Sequence, residues 1–323
     1  MTIHQAIQSA ASLLRNAGMD NAQLDASLLM SHVLQVSRSS LFLIDTNELA
    51  PSQEAAYKAL IEGRLGHVPV AYLIGTKDFY GLQFRVTPDV LIPRPDTEVL
   101  VEAALNILAT NNTNSRGTAE PQRVLDLCTG SGAVAIALKA ESIRQGINLD
   151  VYASDVSPAA LAVAKDNAKT LLPKDNDITF LQGNLFDALS VGTFRKTPLS
   201  TGTHTNKSHL LPASFNLITA NAPYIPASEI PHLQAEVQKE PSLALNGGPN
   251  GLILIQSIIT QAPSHLSHPG CLLLEASPEQ MQNINAMLKT HGFQDIKIYK
   301  DYSGQERVIL GNKKITTEAE TPN

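Results

Sequence analysis

The sequence predicts an α/β chain, in which a mostly parallel, doubly wound sheet with a terminal antiparallel pair follows an N-terminal helical bundle. Three observations carry this expectation. From residue 123 onward short β runs alternate with helical patterns, the order a parallel sheet requires because its strands are joined by crossovers. Before residue 75 apolar residues recur at helical spacing and no strand-like alternation interrupts them. One β run, Val124-Leu125-Asp126-Leu127, passes directly into a glycine turn, residues 128–132, and then a helix.

Composition bounds the function. At 323 residues the chain has room for two domains. With 43% hydrophobic and 17% charged residues it can bury a sizeable core, which excludes disorder throughout. The net charge of −6 gives solubility but no general attraction to nucleic acid, so direct nucleic-acid binding is not expected. Two cysteines, Cys128 and Cys271, cannot form a disulfide scaffold, and a reducing compartment follows. No apolar stretch approaches the ~18 residues of a membrane span, and the N-terminus lacks the basic start and apolar core of a signal peptide. The expected location is cytoplasmic, with no membrane partner.

Residues 1–75 read as helices. Ile3, Ala6, Ile7, Ala10, Leu13 and Leu14 fall on one face, with Gly18 placed to stop that helix. Leu24, Ala26, Leu28, Leu29 and Val33 follow, with Asp20 or Asn21 as N-cap, and a third helix begins after Pro51-Ser52. Packing and partner binding are both open roles for this bundle. Residues 76–92 suggest a β-hairpin linker around Gly81. Leu91-Ile92-Pro93-Arg94-Pro95-Asp96-Thr97-Glu98 then makes a rigid turn into a helix over 99–108. The α/β unit is expected over 93–312, with strands at 123–127, 150–154, 178–182, 215–220 and 271–275 and a closing pair at 296–299 and 307–310. Two polar stretches, 111–122 and 190–213, read as exposed loops, the second with a basic contact surface as an option; residues 313–323 read as a polar, disordered tail.

The glycine turn is the first candidate site. Cys128, Thr129, Gly130, Ser131 and Gly132 would offer backbone amides at a helix start to a ligand, a pattern dinucleotide sites also use. Asp126 can face a cationic ligand or order the turn. Asp155, ending the next strand, can accept both hydroxyls of a ribose, cap the following helix, or do both. Asn184 and Leu185, beyond the third strand, could supply a side-chain oxygen and an apolar wall to an adenine. Cys128 reads as a packing residue, since no histidine in the motif could activate its thiol.

The second candidate lies beyond the fourth strand, in Asn221-Ala222-Pro223-Tyr224. An amide nitrogen that is to attack a methyl group has a delocalised lone pair. Its site must accept its hydrogens and aim it. The Asn221 side-chain oxygen and a backbone carbonyl in a stiff turn provide that without a strong base, and Tyr224 adds a ring wall and a hydroxyl. This segment resembles the N-P-P-Y signature of amino methyltransferases dependent on S-adenosylmethionine.

Together with residues 91–98, 124–132, Glu240-Pro241-Ser242-Leu243-Ala244-Leu245-Asn246-Gly247-Gly248, Arg64-Leu65-Gly66-His67-Val68-Pro69 and Asp301, Gly304 and Arg307, the chain resembles the HemK/PrmC family. Members of that family methylate the glutamine side-chain amide of the Gly-Gly-Gln motif in peptide-chain release factors. The resemblance implies a class I S-adenosylmethionine-dependent methyltransferase, Rossmann-like, spanning almost the whole chain to about residue 312. It implies cofactor contacts at 128–132, Asp155, Asn184, Leu185 and Asn221, and glutamine binding by Asn221, Ala222, Pro223 and Tyr224. Asn221 and Tyr224 would act in catalysis, no metal would take part, and the N-terminal domain would dock the release factor. Ala222 stands where the family usually has proline, and Asn184, Asn216 and Asn250 stand where it often has aspartate. Rival readings are a ribosomal-protein glutamine methyltransferase, a DNA or RNA amino methyltransferase, and a binding protein that has lost turnover.

Overall fold

The computed structural model describes residues 1–114, 120–175, 177–190 and 214–314. Thr2 opens the first helix with a capping box, its hydroxyl accepting the Gln5 N–H at 3.2 Å while Gln5 Oε1 accepts the Thr2 N–H at 3.0 Å. Four helices follow, α1 (Ile3–Asn16), α2 (Ala22–Leu34), α3 (Pro51–Leu65) and α4 (Val70–Ile74). Ile3, Ala6, Ile7, Ala10 and Leu14 of α1 pack with Leu29, Met30, Tyr57 and Ile61. Leu13 and Leu24, expected on the apolar faces, are 52% and 40% exposed. Neighbouring helical positions point about 100° apart, so Leu13 cannot share the face of Leu14. Asn21 occupies the N-cap position of α2 but its side chain makes no capping bond.

A hairpin links this bundle to the sheet. Its strands, β1 (Thr76–Phe79) and β2 (Leu82–Arg85), pair through Phe79↔Leu82 across a two-residue loop. Tyr80 and Gly81 take φ of 48° and 71°, the left-handed pair that matches strand twist. Phe79 and Phe84, both buried, carry the hairpin into the core below α5 (Glu98–Asn114). That helix runs through residues 111–114, where a loop was expected: no glycine or proline interrupts it, and Thr110 returns its hydroxyl to the Asn106 carbonyl at 2.8 Å. The rest of that stretch up to residue 119 lies outside the described residues, as do nearly all of the expected 190–213 loop and residues 315–323.

The sheet alternates as expected: β3 (Gln122–Leu127), α6 (Ala133–Gln145), β4 (Leu149–Asp155), α7 (Pro158–Leu171), β5 (Thr179–Gln182), β6 (Phe215–Ala220), α8 (Ser242–Leu245), α9 (Ile253–His265), β7 (Leu266–Glu275), α10 (Met281–Thr290), β8 (Phe293–Lys300) and β9 (Glu306–Lys313). Lys313 thus ends a strand rather than opening a tail. The spatial order is β5-β4-β3-β6-β7-β9-β8, parallel except that β9 runs antiparallel to both neighbours. Helices α5 and α6 cover one face, α9 and α10 the other.

Strand order reverses between β3 and β6, so the loops leaving their carboxyl ends part and open a crevice. Register then aligns the site. Leu127 pairs with Ser154 and with Ala220, and Ala220 pairs with Leu274. The residues after that row are Cys128, Asp155, Asn221 and Glu275, side by side at the carboxyl edge.

A buried ion cluster ties the helical bundle to the loops above this edge. Arg64, 6% exposed, donates from Nε to Asp25 Oδ2 at 2.8 Å, and its Nη1 lies 2.7 Å from Glu236 Oε1. That second contact is off the line of a hydrogen bond and acts as an ion pair. Arg64→Ala would leave Asp25 buried beside an uncompensated Glu236. We expect chemical denaturation to show a loss of about 3 kcal/mol, with Asp25→Asn recovering part of it in the same background; an unchanged unfolding curve would refute the tie.

Candidate active site

The glycine turn holds its shape through a buried carboxylate. Asp126, 2% exposed, accepts the Thr129 hydroxyl at 2.6 Å and the Thr219 hydroxyl at 2.9 Å. Burial still pushes its carboxyl up to about 6, against the pull of these donors and of the Ala135 amide. Asp126 therefore orders the turn. Cys128, Gly130 and Gly132 take left-handed φ of 56°, 55° and 81°, which rolls the chain over the end of β3. Burial raises the Cys128 thiol well above its ordinary range, away from thiolate chemistry.

Asp155 braces the same turn from β4. Its Oδ2 accepts the Gly130 N–H and its Oδ1 the Ser157 N–H, each at 2.9 Å. The cap of α7 is Ser157, whose hydroxyl oxygen accepts the Ala160 N–H at 3.1 Å. Burial raises the Asp155 carboxyl, opposed by the amides that donate to it. The Val156 amide is a third donor, so the carboxylate keeps a lone pair for a hydroxyl donor from a ligand.

A cavity of 230 Å³ opens in front of these groups. Gly130, Asp155, Asn184, Leu185 and Asn221 border it, with Leu91 and Leu254 as apolar walls. Asn184 is exposed; Leu185 is buried at a φ of 49°. Thr129 and Ser131 border an adjoining 50 Å³ recess with Cys128 and Asn221. Gly132 sits behind the turn, where an added Cβ would meet the Ile136 side chain at 2.8 Å. A larger hollow of 540 Å³, rimmed by Lys165, Lys169 and Lys174, lies beside the amino end of β5, at the sheet's opposite edge.

Beyond β6 a second cavity of 420 Å³ is bordered by Asn221, Ala222, Pro223 and Tyr224, with Arg94 and Glu275. The 221–224 segment is pinned from behind. The Ile225 N–H donates to the Leu245 carbonyl, and the Gly247 N–H to that of Ile225. Gln280 donates to the Tyr224 carbonyl at 2.9 Å, and a Cβ on Gly251 would overlap that same oxygen. Glu240, 5% exposed, takes the Ile92 N–H at 3.0 Å and pairs with Arg94, drawing the 91–98 loop over the site. The 240–248 motif is thus the backing of the turn.

Asn221 borders both cavities, beside two residues to which sequence reading assigned no role in the site. Asn221 donates from Nδ2 to the Thr97 hydroxyl oxygen at 3.1 Å. Glu275, 2% exposed, faces the hydroxyls of Thr97 and Tyr224, and burial pushes its carboxyl up to about 7. The signal for Glu275 was an acid ending the apolar run 271–275 at a sheet's carboxyl edge. Asn216 and Asn250 serve the fold: their side-chain oxygens accept the Arg123 and Leu252 N–H groups. Among the described residues no group of three or more His, Cys, Asp or Glu side chains could hold a metal ion.

A reversed-order sheet with a braced glycine turn, a β4 carboxylate and an asparagine between two cavities defines a class I S-adenosylmethionine-dependent methyltransferase. Residues 120–317 match the methyltransferase domain family and residues 5–75 the PrmC N-terminal domain family. The release factor glutamine methyltransferase of Moorella thermoacetica is 33% identical over 315 residues, 97% of this chain and 99% of that protein. That of Vibrio cholerae is 36% identical over 321 residues, 99% of each. A solved structure, the hMettl16 catalytic domain, is alike in fold at a TM-score of 0.50 and 12% identity, over 75% of this chain and 79% of that one. The chain belongs to the release factor glutamine methyltransferase family.

Asp126 gives a pH signature. A carboxyl raised from 3.8 to about 6 contributes stability that is complete below about 3.8 and lost as pH rises through 6. Between pH 4 and 7 the stability of the wild type relative to Asp126→Asn should fall by the order of 2 kcal/mol. Denaturation of both proteins at the two pH values measures this, and a constant gap would contradict it.

Proposed function

We propose that this protein transfers a methyl group from S-adenosylmethionine to the side-chain amide nitrogen (N5) of the Gly-Gly-Gln glutamine in peptide-chain release factors. One observation supports this above others: Asn221 borders the donor cavity and the substrate cavity at once. A side chain at that junction can touch both reactants.

The cofactor supplies a methyl group on a positively charged sulfur, so the protein need not create an electrophile. The donor cavity fits it. Asp155 keeps a lone pair for a ribose hydroxyl, and the amides of residues 128–132 lie at the start of α6. Leu185 offers an apolar wall to the adenine and Asn184 a side-chain oxygen to its exocyclic amine. A neutral oxygen there accepts a weaker bond than a carboxylate would. In the substrate cavity the Asn221 oxygen and the Ala222 carbonyl accept the amide hydrogens, while Pro223 and Tyr224 wall the glutamine. The nitrogen is aimed rather than activated by a base; its bond to the methyl carbon would form as the donor's carbon–sulfur bond breaks, leaving a neutral thioether, and the amide would release one proton to water.

The helical bundle is the docking part for the release factor. Phe42 and Leu43, 82% and 86% exposed, give it an apolar contact. No helix among the described residues is long and apolar enough to cross a membrane. With the acidic balance, this supports a cytoplasmic protein that acts on a protein substrate and does not bind nucleic acid directly.

Labelled donor incubated in parallel with release factor, ribosomal protein and DNA tests the proposal, which requires label in the release factor first. Asn221→Ala should lose about a hundredfold in transfer and far less in donor affinity; equal loss of both would break the division of roles. Ala222 is 1% exposed. Proline there restricts the unfolded chain by about 0.4–1 kcal/mol, so Ala222→Pro should turn over as fast or faster, and a large loss would show that the turn needs its alanine.

A further inference from the structure

We propose that Glu275 is a positioning residue for methyl transfer: acting through the Thr97 hydroxyl, it fixes which end of the Asn221 amide faces the substrate. This inference rests on the methyltransferase reading above.

The argument is one of hydrogen counting. An ionised carboxylate only accepts, and a threonine hydroxyl has a single hydrogen. Glu275 and Thr97 are both buried beside Asn221, and the Thr97 hydroxyl favours the charged form of Glu275; an ionised Glu275 therefore draws that hydrogen. Thr97 Oγ1 is then left as an acceptor, and the group it meets at 3.1 Å is Asn221 Nδ2. The Asn221 amide is thereby held nitrogen-inward, with Oδ1 turned to the cavity. A glutamine amide nitrogen presents only hydrogens, so it needs that oxygen. Were Glu275 protonated, its own hydrogen could go to Thr97, and Thr97 could donate to Asn221 in turn. The amide would be free to flip, and two NH₂ groups would meet.

The surroundings keep Glu275 poised between these states. Arg307 of β9 favours its charge, but that guanidinium is held by Asp301, at 3.0 Å, and Asp96, at 3.3 Å. Asp96, before α5, disfavours the charge. Tyr224, on the loop after β6, offers its hydroxyl, and its own proton is held more tightly through burial and the presence of Glu275. Among the described residues Oε2 of Glu275 has no hydrogen-bond partner. The carboxyl lies near 7 as a result, well above its ordinary value of 4.5. It is charged above that pH, so the productive orientation is the alkaline one.

Two measurements on the full-length protein test this. In side-chain amide NMR, the Asn221 signal, identified by its loss in Asn221→Ala, should shift with pH with a midpoint near 7 in the wild type. It should stay fixed in Glu275→Gln and in Thr97→Val. In transfer to release factor, wild-type kcat should rise about tenfold between pH 6 and 8, the size of one lost hydrogen bond. Both variants should stay at the low value across that range, with donor affinity by calorimetry unchanged. An Asn221 signal that titrates alike in all three proteins, or variants that keep the wild-type pH profile, would overturn the inference. Thr97→Val decides alone should Glu275→Gln not fold. A wild type that methylates no release factor would instead refute the proposed function, and the NMR titration would still judge Glu275.

Discussion

The site exists because four parallel strands share one register. Leu127, Ser154, Ala220 and Leu274 lie in a single hydrogen-bonded row. Shifting any of these strands by one residue would turn its next side chain to the opposite face. The register is fixed by burial: Val124, Leu125, Val151, Ala153, Leu217, Ile218, Leu272 and Leu273 are all 2% exposed or less, so either face punishes a slip. The chemistry at the rim is therefore set by core packing several residues below it.

Above that row the loops are held to one another rather than to the sheet alone. Asp155 of β4 grips the amide of Gly130 beyond β3, Thr97 before α5 meets Asn221 beyond β6, and Glu240 draws in Ile92 and Arg94. Each bond joins segments far apart in sequence, so the two cavities are shaped by cross-links between loops. The buried Arg64 extends the scheme to the helical bundle through Glu236. A protein substrate held by that bundle would be presented to a pocket of defined position, which is what an in-line transfer requires.

Much of this was legible in the sequence. The alternation of strands and helices, the glycine turn, Asp155 and the 221–224 turn all announce themselves, because each follows from local periodicity or from a residue at a strand's end. Asp126 was left between two roles, since the deciding partners, Thr129 and Thr219, include one from another strand, 93 residues away. Thr97 and Glu275 were passed over for the same reason: their meaning lies in a contact with Asn221 and Tyr224 that no spacing in the chain encodes. Leu13 and residues 111–114 were misread locally, where a run of apolar or polar residues did not say which face was buried or where a helix stopped.

Glu275 and Asp126 show what such a site costs the fold. Both carboxyls are raised by burial, so both weaken the folded state once ionised. An apolar residue would be a more stable occupant of either place, but it could not sort the hydrogens of its neighbours. Asp126 fixes two hydroxyls and, through them, the glycine turn; Glu275 borders the 420 Å³ cavity, where the hydroxyls of Thr97 and Tyr224 favour its charge. The two carboxylates lie one on each side of the β3–β6 crevice, each behind groups that border a cavity. Local instability there is the consequence of directing hydrogen bonds outward from a dry core.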